Sequence, residues 1–325
     1  MRRSVSAAAL LASLWAASPA VTQVVPDEAP PPESAEKVAL ATRYAEQGGE
    51  GPYRAVMLSD PGLPTHTLYR PDNLKAVKGK LPIVAWGNGA CVNVGNRFRY
   101  FLTEIASHGY LILATGPKGS QTAEWKIDIT PNTVPRDPDR PPYSHAAQLN
   151  DAIDWAIAEN SRKGSPYYGR LDPKKVAVMG QSCGGLQAVA AAADARVKTA
   201  VIWNSGTFPD GSRPLAGTGD ASRASLKRFH GPVAWISGDE SDVAWKNSNA
   251  DFEQVTRVPA FRAWKKGVGH SVHYREPRGG DFTLVAVAWL DWQLKGSKVA
   301  AHMFSGADCT LCTDPKWVVK KKGIQ

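Results

Sequence analysis

The stretch from Val176 to Gly185 constrains this chain more than any other. A short apolar run, Val176 to Met179, meets Gly180-Gln181-Ser182-Cys183-Gly184-Gly185, and an Ala-rich helical pattern follows at once. A strand that becomes a helix within so few residues leaves no room for side chains two positions either side of the central residue, so glycine stands at both. The same strain lifts the Ser182 hydroxyl out above a sheet, and the helix N-terminus beneath it favours developing negative charge. Ser182 is therefore the predicted nucleophile.

The rest of the pattern supplies the sheet that such a turn needs. Apolar, strand-like runs recur at Leu81 to Trp86, Tyr110 to Thr115, Lys175 to Met179, Thr199 to Asn204, Pro232 to Ser237 and Pro259 to Lys265. Helical spacing lies between them at Arg97 to Ser107, Ser144 to Glu159, Ser182 to Ala193 and Phe282 to Leu294. Alternation of short buried strands with helices predicts an α/β fold, a mostly parallel sheet with helices on both faces. Tyr53 to Leu58 and Thr65 to Tyr69 alternate instead, with Pro61, Gly62 and Pro64 between them, which predicts an antiparallel hairpin at the N-terminal edge.

A serine at its ordinary pKa needs a base within reach, and the base needs a partner that fixes its tautomer. On a sheet of this kind they follow the serine in the order acid, then histidine. After the strand at Pro232 to Ser237 come Asp239, Glu240 and Asp242, and Asp242 is preferred because it lies deepest in its loop. After the next strand comes His270, with His273 as its rival; His66, His108 and His145 precede the serine, His230 precedes the acid, and His302 lies in the C-terminal tail. Two backbone donors are also needed for an oxyanion. The amide of Cys183 is one, and the loop Gly87-Asn88-Gly89-Ala90-Cys91 supplies the other, Asn88 first and Gly89 second.

Taken together, the loop at Gly87 to Cys91, the phrase Ala106-Ser107-His108-Gly109-Tyr110, the turn at Ser182, Asp242-Val243-Ala244 and Gly269-His270 resemble secreted α/β-hydrolases of the cutinase, polyester-hydrolase and dienelactone-hydrolase-like group. The resemblance implies ester hydrolysis with Ser182, Asp242 and His270 as the triad. Gln181 and Cys183 stand where polyester hydrolases usually carry His and Met, and Asn88 replaces their loop aromatic, so the ester itself is left open. A peptidase, an acyltransferase and a catalytically silent binding protein remain the alternative readings of the same residues.

The first 20 residues have a basic start, an apolar stretch from Ala7 to Ala17 and small residues around Ser18 to Ala20, the layout of an export signal. That stretch is shorter than the roughly 20 residues a membrane span requires. Residues 21–50, with Pro26, Pro30, Pro31 and Pro32, read as a flexible linker, and 51–325 as one hydrolase domain with a Cys-containing tail from 297. In an exported chain the four cysteines are expected to pair. On this fold Cys91 and Cys183 are neighbours, and Cys309 faces Cys312 across a short turn; free, buried thiols at Cys91 and Cys183 are the other possibility.

The formal charge of +9 is spread along the chain, and Lys320-Lys321-Lys322 reads as a solvated tail, so no nucleic-acid partner is expected. No metal-ligand spacing appears, and neither metal nor cofactor is expected; the partner is a small or polymeric ester. Eleven tryptophans are many for this length. Trp86, Trp203, Trp235 and Trp245 fall near strand ends, where they either pack the core or wall an aromatic cleft. Gly116 to Pro142 reads as a long excursion of the kind that caps a site.

Overall fold

The computed structural model describes residues 35–119 and 143–325. The expected export signal, most of the linker's proline-rich part and most of the Gly116 to Pro142 excursion lie outside the described residues.

Nine strands form one sheet: β1 Ala55–Leu58, β2 His66–Pro71, β3 Leu81–Gly87, β4 Leu111–Thr115, β5 Leu171–Gln181, β6 Val197–Trp203, β7 Val233–Gly238, β8 Ala260–Lys265 and β9 Trp317–Lys322. Their order is β1-β2-β4-β3-β5-β6-β7-β8-β9. From β4 to β8 every pair is parallel, while β1 and β2 form the antiparallel hairpin at one edge and β9 runs antiparallel to β8 at the other. The chain leaves β3 toward β4 on one side and returns to β5 on the other. The carboxyl ends of β3 and β5 therefore flank a switch point, the place where such sheets open a crevice.

Alternation along each strand divides two cores. Val84, Trp86, Ala177, Met179, Val201, Trp203, Ala234 and Ile236 face α2 (Arg99–Ser107) and α6 (Gly280–Lys295). Leu81, Ile83, Ala85, Val176, Val178, Ala200, Ile202, Val233 and Trp235 face α3 (Ala147–Ser161), α4 (Cys183–Ala191) and α5 (Trp245–Gln254). The parallel α/β expectation and the N-terminal hairpin both hold, because apolar residues on successive strand positions can be buried only if both faces are covered.

Two expectations need correction. The linker does not extend to residue 50: α1, Ala35–Gln47, is rich in good helix formers, buries Ala41 and joins its Thr42 hydroxyl to Tyr100 of α2 at 2.9 Å. Arg278 holds its end by pairing with Glu50 and lying over the Tyr44 ring. The run Lys320 to Lys322 is not a solvated tail but the far half of β9. Lys320 and Lys322 pair with Glu253 of α5, and lysines there also blunt an exposed sheet edge. The region from 297 adds α7 (Lys298–Ala301) and α8 (Thr310–Thr313), and Phe304, Leu311 and Trp317 enter the core. Of the two readings of the tryptophans, core packing holds for Trp86, Trp203 and Trp235, which are fully buried; Trp245 is half-buried, edge-on to Trp264 at 5.8 Å. Among the described residues no helix is long and apolar enough to cross a membrane, and no three His, Cys, Asp or Glu gather as a metal site.

Trp289 joins α6 to the sheet: fully buried, it meets Phe261 of β8 and Phe304 edge-on or tilted and donates its indole N–H to Thr199 Oγ1 at 2.8 Å. Trp289→Ala is expected to destabilise the fold by about 3–5 kcal/mol, read as a fall in the urea midpoint. A loss under about 1 kcal/mol would contradict this packing.

Candidate active site

Ser182 follows β5 directly and opens α4 with φ 54° and ψ −120°, in the left-handed half of backbone space that non-glycine residues seldom occupy. The strain is held by crowding around it. A Cβ on Gly180 would lie 2.1 Å from the Gly184 carbonyl oxygen, and one on Gly184 would lie 2.0 Å from that of Gly87. The turn is further tied by Ser182 N–H donating to the Trp203 carbonyl at 2.9 Å and by Ser205 Oγ donating to the Ser182 carbonyl at 2.7 Å.

The loops after β7 and β8 bring the expected partners to this hydroxyl. His270 Nε2 lies 2.8 Å from Ser182 Oγ, and His270 Nδ1 lies 2.6 Å from Asp242 Oδ1. Asp242 is buried, and its carboxylate accepts from Ala244 N–H at 2.9 Å, Asn204 Nδ2 at 2.8 Å and Gly238 N–H at 3.2 Å. Burial alone would raise its pKa, but the hydrogen bond and charge of His270, with the Ala244 and Asn204 donors, hold it below the usual carboxylate range. This is a geometry in which an imidazole can draw a proton from a hydroxyl while a fixed carboxylate sets its tautomer.

The rivals stand elsewhere. Asp239 receives Gly267 N–H at 2.6 Å and Ser241 Oγ at 2.7 Å, so it clamps the β7 and β8 loops together instead of meeting His270. Glu240 is exposed. His273 pairs with Glu276 at 2.9 Å and stacks on Phe282 at 4.8 Å. His66 is a buried core residue whose ring meets the Gln148 carbonyl at 3.0 Å; burial lowers its pKa to about 4.

The loop after β3 sits against the N-terminus of α4. Asn88 is fully buried, its Nδ2 donating to the carbonyls of Val92, Val94 and Thr115 and its Oδ1 accepting the Trp86 indole N–H. Its side chain thus shapes the loop, while Ala90, with φ 53°, is the partly exposed residue within it. Gly89 packs against Gln181: a Cβ there would lie 2.0 Å from Gln181 Oε1 and would have to displace that side chain. Gln181 in turn donates Nε2 to the His270 carbonyl at 3.0 Å, linking this loop to the one that carries the imidazole. In the sequence Gln181 stands out only as a departure from the residue polyester hydrolases usually carry, and Asn204, just past β6, is not singled out at all.

Both expected cysteine pairs are present, and no free cysteine remains among the described residues. Cys91–Cys183 ties the β3 loop to the residue after Ser182 across 92 positions of sequence, whereas Cys309–Cys312 closes a turn of 3.

Residues 57–211 match a family profile described as PETase, PET hydrolase-like. Comparison with curated proteins returns no match.

The two disulfides should differ in weight. The chain-entropy account assigns about 4–5 kcal/mol to the long loop and about 1–2 kcal/mol to the short one. Replacing Cys91 and Cys183 together by Ser should therefore lower the melting temperature far more than replacing Cys309 and Cys312. Equal effects in calorimetry would show that the long cross-link does not constrain the unfolded chain.

Proposed function

From its place in the polyester-hydrolase group of α/β-hydrolases, we propose that this ester hydrolase works through an acyl-enzyme on Ser182, with His270 as base and acid and Asp242 as its orienting carboxylate. The observation that carries the reading is the unbroken chain from Ser182 Oγ through both His270 nitrogens to Asp242, at 2.8 and 2.6 Å.

Ser182 Oγ attacks the ester carbonyl carbon as its proton passes to His270 Nε2, forming a tetrahedral oxyanion. The amide of Cys183 and a loop amide, that of Asn88 first, stabilise that oxyanion, held in register by the Cys91–Cys183 cross-link. Collapse expels the alcohol, which takes the proton from His270; water, deprotonated by the same ring, then releases the acid and restores Ser182. No metal or cofactor enters this scheme. Two disulfides fit an oxidising compartment, so the enzyme is proposed to act outside the cytoplasm, in the periplasm or the medium.

Ser182→Ala and His270→Ala should each lower kcat by roughly four to six orders of magnitude, and Asp242→Asn by about four, with far-ultraviolet circular dichroism unchanged. A fluorophosphonate probe should label wild type at Ser182 and not the Ala variant. Labelling elsewhere, or activity of Ser182→Ala within tenfold of wild type, would sink the assignment. An amorphous polyester film belongs beside p-nitrophenyl esters of rising chain length in the substrate panel, since the matched family is described as PET hydrolase-like.

Acidity should not act through Asp242. Because the Asp242 pKa is depressed, its carboxylate stays ionised while the pH falls through the range, roughly 6 to 7, where imidazoles titrate. The acid limb of kcat/KM should then follow a single proton, and a slope of two would show that the carboxylate titrates with it.

A further inference from the structure

Asn204 follows β6 directly with φ 40°, a left-handed conformation that asparagine tolerates better than most residues, and its side chain is fully buried. Its Nδ2 donates to Asp242 Oδ2 at 2.8 Å, and its Oδ1 accepts the Tyr274 hydroxyl at 2.6 Å. We infer that Asn204, locked by Tyr274, is a positioning residue for the reaction: it fixes the Asp242 carboxylate so that one oxygen faces His270. This inference rests on the triad reading above.

The two carboxylate oxygens are held differently. Oδ1 takes His270 Nδ1 and Ala244 N–H, at 2.6 and 2.9 Å. Oδ2 takes Asn204 Nδ2 and, at a longer 3.2 Å, Gly238 N–H. Without Asn204 that buried oxygen keeps one long bond, so the carboxylate loses both part of its charge compensation and the contact that sets its rotation. Arg262, a buried residue of β8 that donates to Ser237 Oγ of β7 at 2.8 Å, acts on Asp242 through its field.

Tyr274 decides which way the amide points. Burial and the nearby Asp242 charge raise its phenol pKa well above the ordinary value, so it stays a donor and demands an acceptor. The Asn204 carbonyl must therefore face Tyr274 and its NH₂ must face the carboxylate. The ring cannot swing away, being edge-on to Phe98, Phe101, Trp203 and Phe282. Tyr274 also lies in the short helical turn Val272–Arg275, just past His270. Its bond to Asn204 thus joins the loop that carries the base to the strand that steadies the acid.

The test compares Asn204→Ala, Tyr274→Phe, their double variant and Asp242→Asn on a small soluble ester, reading kcat, KM and the pH profile of kcat/KM. Asn204→Ala should lower kcat about 10- to 100-fold, the range for a hydrogen bond to a charged group, with KM nearly unchanged. Its acid limb should move to higher pH, because a carboxylate that has lost a donor holds the proton on His270 more tightly. Tyr274→Phe should move both readouts the same way by less, and the double variant should match Asn204→Ala alone. An acid limb coincident with wild type together with a kcat loss under about threefold would overturn the inference, as would additive losses in the double variant. If Asn204→Ala does not fold, Tyr274→Phe, which removes one oxygen, decides on the same criteria. An active Asp242→Asn would refute the triad reading itself. Collapse of Asp242→Asn beside unaffected Asn204 and Tyr274 variants would refute only this inference.

Discussion

Backbone meets backbone where α4 leaves β5, and the rest of the site depends on that contact. Gly184 lies so close to Gly87 that a single added carbon would sit 2.0 Å from the Gly87 oxygen. The helix can start there only because glycine removes the obstacle, and Ser182 takes φ 54° as a result. Its hydroxyl is then aimed by the chain path, not by a rotamer choice on a loose loop. The same contact brings the β3 loop alongside Cys183, which is why one disulfide can join them.

Around this fixed point the loops are fastened to one another more than to the sheet. Gln181 reaches the carbonyl of His270, Asp239 reaches the amide of Gly267, and Asn204 reaches Asp242. Each fastener is a polar side chain that spans two loops, and Asn204 satisfies a carboxylate oxygen that burial would otherwise leave costly. Beneath them Trp86 and Trp203, near the ends of β3 and β6, are fully buried in one core, and Trp235, within β7, is fully buried in the other.

The ends of the described chain follow the same economy. Helix α1 covers α2, its Thr42 joined to Tyr100 and its Tyr44 ring under Arg278, and β9 covers the edge of β8, its Lys320 and Lys322 paired with Glu253. Such elements are weakly patterned, since they bury one narrow stripe against an existing surface, and local hydropathy underestimates them.

What the sequence by itself determined is the part governed by local sterics and period. The parallel sheet, the hairpin, the strand-to-helix turn at Ser182 and the chain order that narrowed the acid to Asp239, Glu240 or Asp242 and the base to His270 or His273 were all legible, because each follows from glycine spacing or from runs that must be buried. The cysteine pairing was legible too, given the fold. Tertiary structure alone decided how the loops meet: that Asp239 clamps while Asp242 reaches the imidazole, that His273 turns to Glu276, that Asn88 is buried scaffold, and that Asn204 and Tyr274 stand behind the acid. Those outcomes depend on contacts between residues up to 70 positions apart, as for Tyr274 and Asn204, and a polar residue's partner at that distance leaves no periodic trace in the chain.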